Sequence, residues 1–444
     1  MNIITRFAPS PTGYLHTGNY RTAIFSYIFA KQNQGKFLLR IEDTDKERSK
    51  KVYEDNIIDS LKWLGLEYDE FYRQSDRTEI YKKYIHQLID SGHAYVSKET
   101  PVETDGKTSR GEVIRFKNPN KKVAFDDLIR GHIEFDTTEL NDFVIAKSFD
   151  EPVFHLVVVI DDHEMGVTHI VRGEDHISNT PRQILIFEAL GVKVPQYAHI
   201  PLLLAPDRSK LSKRKGAVAI TEYRAKGYLP QALLNYLTLL GWHPSDDKEI
   251  LTMEEIIKDF SLDRVQKGGA VFDEEKLKWF NKQYMAKLSD EDFIAHAQAF
   301  LPASISASSD TFKSILPLLR EKINAFGEIA ELLGPNGELS FIQALPEYEP
   351  TMLLWKKNPD AAIARSHLVF AQESIGKLPD AFSADQAKAT LWEYAEKNGK
   401  GDVLWPLRVA LTGKDKSPDP FTSASILGRS ESLKRIGAAI TKLS

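Results

Sequence analysis

The sequence predicts an α/β fold for the first half of the chain and an all-helical module at its C-terminal end. Three observations predict it. The chain opens with a strand, a rigid turn and a helix. Residues 37–41, FLLRI, have the unbroken apolar character of a buried parallel strand. From about residue 310 onward, helical periodicities are separated only by short breaks, without an alternating strand pattern.

The first strand–turn–helix unit is the most distinctive stretch of the chain. Its turn reads RFAPSPTGYLHTGNYR over residues 6–21, where Pro9 and Pro11 each fix φ and Gly13 can take a positive φ, so that the chain makes a stiff, tight turn. Apolar residues then recur at helical spacing and place a helix N-terminus near Gly18. Its exposed N–H groups, with Thr12 and His16 beside them, can bind a phosphate. The alternative is an ordinary turn in which His16 is a satisfied polar residue.

The next elements continue the α/β pattern. The strand at residues 37–41 ends at Glu42, where open α/β sheets bind their ligands. Residues 52–64 and 77–91 have the apolar spacing of amphipathic helices.

The middle of the chain changes character twice. From about residue 94 to 149 it becomes more polar, with strand-like runs at residues 113–116 and 143–146, which predicts an inserted subdomain. The α/β pattern then returns as a strand at residues 154–160, an acidic turn, a second strand and a helix from about Thr180. After about residue 222 the chain is mainly helical, and one densely apolar helix ends at Gly241.

The composition excludes several classes of site. None of the 444 residues is cysteine, which excludes disulfides and thiolate-bound zinc or iron–sulfur clusters. The apolar runs are too short to cross a bilayer and the N-terminus lacks a signal-peptide pattern, so we expect a cytoplasmic protein without membrane contact. Because the net charge is −5, a nucleic acid must be held by local basic patches.

The clearest basic patch is the loop formed by residues 208–215. Its centre reads KLSKR, with Lys210 and Lys213 three residues apart. Two ammonium groups beside a flexible glycine can neutralise a triphosphate as its α–β bond breaks. The alternative is a solvated basic surface.

Three charged residues, Arg6, Glu42 and Arg172, lie in or beside predicted strand ends. Two guanidinium groups and one carboxylate suit a small zwitterion that carries an extra carboxylate, and glutamate fits that description. Taken singly, each arginine would equally fit a surface salt bridge.

Two acidic stretches have different interpretations. In residues 173–176, GEDH, an acid such as Asp175 can accept hydrogen bonds from a ribose or an adenine amine, with a solvated turn as the alternative. In residues 161–164, DDHE, we do not expect a metal site, because consecutive residues on a turn rarely converge on one ion.

The early turn and the basic loop resemble the motifs of a known family. A-P-S-P-T-G-x-L-H-x-G followed by R-T-A resembles the HIGH-type motif of the glutamyl branch of class I aminoacyl-tRNA synthetases, and KLSKR resembles their KMSKS loop. The resemblance covers most of the chain through IEDTD from Ile41, LKWLG from Leu61, FDDLIRG from Phe125, RGEDH from Arg172, SNTPRQIL from Ser178, KGGAVFD from Lys267 and, more weakly, PLRVALTG from Pro406.

The resemblance implies a Rossmann-type catalytic domain with a parallel sheet, split by an α+β insertion that takes the tRNA acceptor end. A helical connecting domain and a helical anticodon-binding domain follow. The expected boundaries are residues 1–93 and 151–221 for the two catalytic halves, 94–150 for the insertion, 222–309 for the connecting domain and 310–444 for the anticodon-binding domain.

The resemblance also implies the reaction and its residues. L-glutamate and ATP with Mg²⁺ give glutamyl-adenylate, and the glutamyl group then passes to tRNA(Glu) for protein synthesis, in a monomeric enzyme without structural zinc. The amino-acid site is implied at Arg6, Ala8, Ser10, Glu42, Phe154 and Arg172. The ATP site is implied at Thr12, His16, Gly18, Asp175, Leu203, Lys210, Leu211, Ser212, Lys213 and Arg214. His16, Lys210 and Lys213 are the implied catalytic residues, and Arg408 the implied tRNA contact.

Two positions depart from the family pattern. Asn19 stands where the HIGH pattern has its second histidine, which removes one phosphate donor. Phe154 stands where many relatives carry a tyrosine that contacts the substrate, so one hydrogen bond to glutamate is missing or replaced.

Other functions remain open at this stage. A ligase that also charges tRNA(Gln) would share every motif. A non-catalytic tRNA-binding relative would be expected to have lost His16 or the lysines, and both are present. A tRNA-modifying paralogue usually lacks the helical C-terminal module, and a glutamine-specific ligase would be expected to carry β-barrels there.

Overall fold

The computed structural model describes residues 2–99, 103–104, 107–108, 111–211, 218–345 and 347–444. It divides into two compact units. The first comprises Met1–Arg224 and Leu229–Phe280, and the second comprises Ala225–Tyr228 and Asn281–Ser444.

The first unit begins with a three-stranded parallel sheet. The order of its strands is β1 (Ile4–Phe7), β2 (Lys36–Ile41) and β3 (Glu70–Arg73). Helix α1 (Thr17–Gln32) connects β1 to β2, and helix α2 (Lys51–Trp63) connects β2 to β3. Helix α3 (Thr78–Asp90) follows β3. The predicted strand at residues 37–41 and the helices predicted at 52–64 and 77–91 are confirmed. This βαβαβ order places the turns after β1 and β2 at the same edge of the sheet.

A second sheet continues the parallel arrangement. It has the order β12 (His169–Gly173), β13 (Gln196–Ile200), β8 (Lys122–Asp127) and β9 (Gly131–Asp136). β12, β13 and β8 are parallel, whereas β9 returns antiparallel to β8. The backbone N–H of Thr168 donates to the carbonyl of Ile4 at 2.9 Å, which joins the start of β12 to β1.

The predicted insertion, residues 94–150, contributes to three sheets. An antiparallel sheet contains its strands β4 (Ala94–Lys98), β7 (Glu112–Phe116) and β10 (Phe143–Ser148), together with β11 (Glu151–Pro152), which directly follows the insertion. A separate two-stranded sheet pairs β5 (Glu103–Thr104) with β6 (Lys107–Thr108). The hairpin of β8 and β9 instead extends the second sheet. In the described part of this region, helical structure is limited to one 3₁₀ turn at Thr138–Leu140.

One predicted strand is wrong. Residues 154–160, interpreted as a strand before an acidic turn, belong to helix α4 (Phe154–Glu164). Every residue from Leu156 to Asp162 is buried, so the run lacks the polar face by which periodicity identifies a helix. Asp161 and Asp162 therefore lie inside a buried helix rather than on a solvated turn. The helix predicted from Thr180 is confirmed as α5 (Thr180–Ala189).

Helices dominate the rest of the first unit. They are α6 (Ile220–Ala225, whose last residue belongs to the second unit), α7 (Pro230–Leu239), α8 (Met253–Asp259) and the first half of α9 (Glu274–Ala286), which continues into the second unit after Phe280. A short parallel pair of strands, β14 (Leu203–Leu204) and β15 (Ala270–Val271), accompanies them. The apolar helix α7 ends before Gly241, whose φ of 106° only glycine adopts readily.

Within its described residues, the second unit is helical, as predicted for the C-terminal end. Its helices are α10 (Asp290–Ala297), α11 (Asp310–Lys322), α12 (Glu328–Leu333), α13 (Ala361–Gly376), α14 (Ala384–Asn398), α15 (Lys400–Thr412) and α16 (Pro420–Lys442). Leu368, Leu391, Leu407 and Ile436 from four of these helices share one buried core. No helix in the described part of the chain is long and apolar enough to cross a membrane.

Candidate active site

The first element of the site is the N-terminus of α1, directly after the proline-rich turn. The ring atom Nδ1 of His16 accepts the backbone N–H of Gly18 at 3.1 Å. The backbone N–H of His16 donates to Oδ1 of Asn19 at 3.2 Å, which completes a reciprocal cap. Because Nδ1 is an acceptor, a neutral His16 ring carries its proton on Nε2 and can donate a hydrogen bond there.

A side chain at position 18 would crowd this cap. A Cβ atom at that position would lie 2.9 Å from Cε1 and 3.0 Å from Nδ1 of His16. The absence of a side chain therefore lets the imidazole fold back over the first turn, beside N–H groups suited to an anion.

A buried group of charges, centred on Arg40 and Asp162, lies behind the turn. Arg40, on β2, donates to Asp162 Oδ1 at 2.7 Å and to Glu42 Oε1 at 3.0 Å. Arg6, on β1, donates to the same Asp162 oxygen at 3.1 Å. Burial acts to raise the pKa of Asp162, but the two guanidinium groups outweigh it and hold that pKa below its usual value. Sequence reasoning missed this pair, although a charged residue within a buried apolar run was a usable signal.

The pKa of Glu42, directly after β2, is shifted in the opposite direction to that of Asp162. Burial raises the pKa of Glu42, and the positive charges of Arg40 and Arg6 offset that effect only in part. A further cation beside this carboxylate would therefore stabilise its charged form.

Asp161 also lies near Arg40, with 3.7 Å between Oδ2 and Nε, but its hydrogen bonds come from other residues. Its oxygens accept hydrogen bonds from Arg77 at 2.8 Å, Gln74 at 2.9 Å and Tyr81 at 3.0 Å. These donors come from α3 and the turn before it, so Asp161 ties α4 to the first sheet's helical layer.

Arg172, near the end of β12, is a buried cation that is held by neutral groups. Its Nε donates to His199 Nε2 at 3.1 Å, Nη1 to Gln183 Oε1 at 2.8 Å and Nη2 to Thr180 Oγ1 at 2.7 Å. Among the residues that the structure describes, Arg172 forms no salt bridge. Burial lowers the pKa of Arg172 to about 10, so the group stays protonated at neutral pH. Such a cation is suited to an anionic ligand.

The basic loop begins with a tight hairpin after β14. Leu204 and Lys210 form an antiparallel bridge, and the N–H of Leu211 donates to the carbonyl of Leu203 at 2.9 Å. Arg208 adopts a φ of 62° at the turn between them.

Lys210 contacts Asp175 at the edge of the site. Their Nζ and Oδ2 atoms are 2.9 Å apart, and both side chains are about half exposed. Such an exposed pair contributes little to stability and separates readily. Ser212, Lys213 and Arg214, predicted to bind ATP, lie outside the described residues.

The structure brings the described residues of both predicted subsites into one cavity of about 400 Å³. Those residues are Arg6, Ala8, Ser10, Thr12, His16, Gly18, Glu42, Phe154, Arg172, Asp175, Leu203, Lys210 and Leu211. Asn19, Arg21 and His176 also line the cavity, and sequence reasoning did not assign them to it. Arg408 lies on α15 in the second unit, where its Nε is buried and no hydrogen-bond partner for it lies among the described residues.

Comparison with known proteins identifies the family. The family model described as tRNA synthetases class I (E and Q), catalytic domain, matches residues 2–110 and 102–279, and the one described as Anticodon binding domain matches residues 292–440. The glutamate–tRNA ligase of Aquifex aeolicus is 43% identical, with 99% of each chain covered. The chain belongs to the glutamate–tRNA ligase family of class I tRNA synthetases. The ligase from Sulfurihydrogenibium sp. is 42% identical over 92% of this chain and 93% of that one.

Solved structures of this family share the whole architecture. A crystal structure of a glutamate–tRNA ligase from Elizabethkingia meningosepticum, in complex with its amino acid, matches with a TM-score of 0.87 at 33% identity, covering 100% of both chains. The glutamate–tRNA synthetase of Elizabethkingia anophelis matches with a TM-score of 0.85 at 33% identity, covering 99% of this chain and 100% of that one. The predicted Rossmann-type domain followed by a helical anticodon domain is confirmed, whereas the roles of single residues stay predictions.

Proposed function

We propose that this protein activates L-glutamate with ATP and transfers it to tRNA(Glu). The observation that carries the proposal is one cavity lined by both a capped helix N-terminus and two buried guanidinium groups, Arg6 and Arg172. A triphosphate and an acidic amino acid need those two kinds of group within one enclosure. The two relatives compared above, both glutamate–tRNA ligases, support the same reaction.

The reaction needs no nucleophile from the protein. An oxygen of the glutamate α-carboxylate attacks the α-phosphorus of ATP, and the bond to the β-phosphate oxygen breaks to release pyrophosphate. A hydroxyl of the terminal ribose of tRNA then attacks the acyl carbon of glutamyl-adenylate, and AMP leaves. The protein's contributions are orientation and charge stabilisation.

In the amino-acid subsite, Arg172 receives the side-chain carboxylate and Glu42 receives the ammonium group, with Arg6, Ala8, Ser10 and Phe154 completing the walls. Three neutral acceptors orient Arg172, which leaves its charge for the ligand. Glutamine would leave that buried charge unpaired, a penalty of about 3–5 kcal/mol. The raised pKa of Glu42, caused by burial, supports a cationic partner beside it.

In the ATP subsite, the start of α1 and the Nε2–H of His16 stabilise charge on the α-phosphate. Lys210 and Lys213 neutralise the leaving pyrophosphate, with Ser212 and Arg214 in the same loop. Thr12, Gly18, Asp175, Leu203 and Leu211 complete this subsite. When ATP binds, Lys210 exchanges its contact with Asp175 for one with the phosphates. Because both side chains are about half exposed, separating them costs little free energy.

Magnesium enters with ATP as part of the substrate. Among the described residues, no group of three or more His, Cys, Asp or Glu side chains is arranged to hold a metal ion.

The tRNA is proposed to contact all parts of the chain. The insertion at residues 94–150 takes the acceptor end, residues 222–309 contact the stem, and residues 310–444, including Arg408, bind the anticodon arm. The family match of residues 292–440 to an anticodon-binding domain supports the last assignment. We place this reaction in the cytoplasm and propose a monomer, which light scattering at a chain mass of 50.3 kDa will test.

A charging assay tests the proposal. Purified protein, ATP, Mg²⁺ and labelled glutamate are expected to acylate tRNA(Glu), while labelled glutamine is expected to give no product. A parallel reaction with tRNA(Gln) shows whether the anticodon module excludes that tRNA. Absence of charging on both tRNAs would contradict the proposed function.

A further inference from the structure

A chain of hydrogen bonds connects Asp127 through His199 to Arg172. The three residues lie on adjacent parallel strands: Asp127 ends β8, His199 lies on β13, and Arg172 lies opposite His199 on β12. All three are buried, with 4%, 0% and 6% of their surfaces exposed. Only Arg172 of the three lines the cavity.

Asp127 holds His199 in one orientation. Its Oδ2 lies 2.6 Å from His199 Nδ1, and its Oδ1 accepts the backbone N–H groups of Ile129 at 3.0 Å and Arg130 at 2.9 Å. Burial acts to raise the pKa of Asp127, but these hydrogen bonds outweigh it and hold the pKa below its usual value. Asp127 is therefore a charged acceptor at neutral pH.

The charges on either side determine the tautomer of His199. An ionised Asp127 can only accept and the Nε of Arg172 can only donate, so Nδ1 carries the proton and Nε2 has the lone pair. Burial lowers the pKa of His199, which favours this neutral ring at pH 7.

The orientation of Arg172 depends on this acceptor. Of the five N–H donors of a guanidinium group, His199, Gln183 and Thr180 each accept one, which leaves one on each Nη atom. The guanidinium carbon also lies 5.2 Å from the centre of the Tyr197 ring, which stacks on His199. Two remaining donors on a fixed fork match the two oxygens of a carboxylate.

We propose that the Asp127–His199 pair is a positioning device that orients Arg172 for the substrate carboxylate without neutralising it. A carboxylate at the position of His199 would also orient Arg172, but it would compete for the charge that the ligand needs. A neutral imidazole avoids this competition. The inference rests on the proposed role of Arg172 in binding glutamate, and it adds two residues that do not touch the substrate.

Asp127→Asn tests this hydrogen-bond chain by changing one side-chain atom. The amide oxygen can keep the backbone hydrogen bonds that Oδ1 accepts from Ile129 and Arg130, while an NH₂ group replaces Oδ2, which faces the His199 ring and also accepts the backbone N–H of His199 at 3.1 Å. That N–H keeps the amide oxygen as an acceptor, because Oδ1 lies 3.3 Å from it. The His199 ring must then accept a hydrogen bond at Nδ1 and carry its proton on Nε2. The Nε2–H of His199 would therefore face the Nε–H of Arg172, and the hydrogen bond between them would be lost. We expect the KM for glutamate to rise about 10-fold, the effect of losing one hydrogen bond to a charged group. The kcat and the KM for ATP are expected to stay within about twofold of the parent values.

Two substitutions of His199 separate its two hydrogen bonds. His199→Asn can still donate to Asp127 but cannot reach Arg172, and it is expected to raise the KM for glutamate as Asp127→Asn does. His199→Gln can present its amide oxygen to Arg172 and is expected to recover part of the parent KM. The control is His169→Asn, a change of another buried histidine at the opposite end of the same strand pair and outside the cavity.

Charging of tRNA at varied glutamate concentrations distinguishes the outcomes, with Arg172→Ala measured in parallel. Since KM does not depend on the fraction of active protein, partial unfolding of a variant changes kcat alone. If Arg172→Ala raises the KM but Asp127→Asn and His199→Asn do not, the positioning device is overturned while the role of Arg172 stands. If Arg172→Ala leaves the KM unchanged, both the proposed role of Arg172 and this inference are wrong, whereas glutamate charging itself would remain established.

Discussion

The imidazole of His16 accepts the backbone N–H of Gly18, two residues further along the chain. This contact turns the histidine back over the first turn of α1, so that one ring nitrogen caps the helix and the other is the ring's N–H donor. The helix start and the histidine therefore form the unit that we propose binds the α-phosphate.

Gly18→Ala is expected to disrupt that unit. The new Cβ would lie 2.9 Å from Cε1 of His16, so the ring must move away from its cap. The rate of adenylate formation is expected to fall by about 10²-fold, the scale of one lost transition-state donor. Pyrophosphate exchange in the presence of tRNA measures this rate. Gly111→Ala is the control, because no atom of the described residues lies within 4 Å of a Cβ built there. Equal exchange rates for the two variants would refute the role given to the ring.

Substitutions of Asn19 distinguish its effect on helix capping from the effect of charge on ATP binding. Asn19→Ala removes the acceptor for the His16 amide and is expected to destabilise the protein by about 1 kcal/mol, the usual value of a capping contact. Asn19→Asp keeps the acceptor and adds a negative charge beside the proposed phosphate site. The aspartate variant is expected to keep the parent melting temperature but to show a higher KM for ATP. A KM for ATP equal to that of the parent would place the phosphate elsewhere.

Glu42→Gln is expected to stabilise the fold while weakening substrate binding. Because burial raises the pKa of Glu42, its contribution to stability is fully present below the ordinary value of 4.5 and is lost as the pH rises through the raised pKa. At pH 7 the glutamine variant is therefore expected to melt at a higher temperature than the parent, and the difference should shrink towards acidic pH. The KM for glutamate should rise at least about 10-fold, as expected for loss of a charged contact.

Glu70→Gln is the matched control for that prediction. Glu70 lies on β3 of the same sheet, and its hydrogen bond with Lys36 holds the pKa of this carboxyl below its usual value. Its contribution has the opposite sign, so this variant is expected to melt slightly below the parent at pH 7. A lower melting temperature for both variants would contradict the pKa direction assigned to Glu42.

Lys213→Ala is expected to lower adenylate formation by on the order of 10²-fold, because it removes a charge partner of the leaving pyrophosphate. Arg208→Gly is the control in the same loop: it removes a charge that does not line the cavity and relieves a left-handed backbone conformation. Single-turnover formation of adenylate measures both variants. Parent-like activity of Lys213→Ala would exclude the loop from the chemistry.

Phe154→Tyr tests the departure from the family pattern. Phe154 lines the cavity and is 38% exposed, so a hydroxyl group can be added without burial of a new polar atom. If the new hydroxyl group forms a hydrogen bond with bound glutamate, the KM for glutamate should fall about fivefold, the value of one neutral hydrogen bond. An unchanged KM would mean that another group already supplies that contact.

Local signals account for what could be predicted. Prolines and glycine before a helical periodicity identified the turn around His16, and an unbroken apolar run identified β2. The buried helix α4 was assigned as a strand because burial on all sides removes the polar face that periodicity requires. The motifs therefore predicted the location of the cavity correctly, although the secondary structure predicted for the neighbouring residues 154–160 was wrong.

Contacts between distant residues could not be predicted from the sequence. Arg40 and Asp162 are 122 residues apart, and Asp127 and His199 are 72 residues apart. Each pair depends on how strands and helices assemble, and no local pattern states which buried acid meets which buried base. The same holds for Asn19, whose capping role appears only once the start of α1 is located.

The pairing of β8 with β13 also sets an order for folding on the ribosome. β8 is synthesised first, and its partner follows 72 residues later at the level of Asp127 and His199. At ordinary translation rates the nascent chain therefore carries an open strand edge for on the order of 10 s before the sheet can close. During that interval β9 covers only the opposite edge of β8, so the edge that later pairs with β13 stays exposed to other chains.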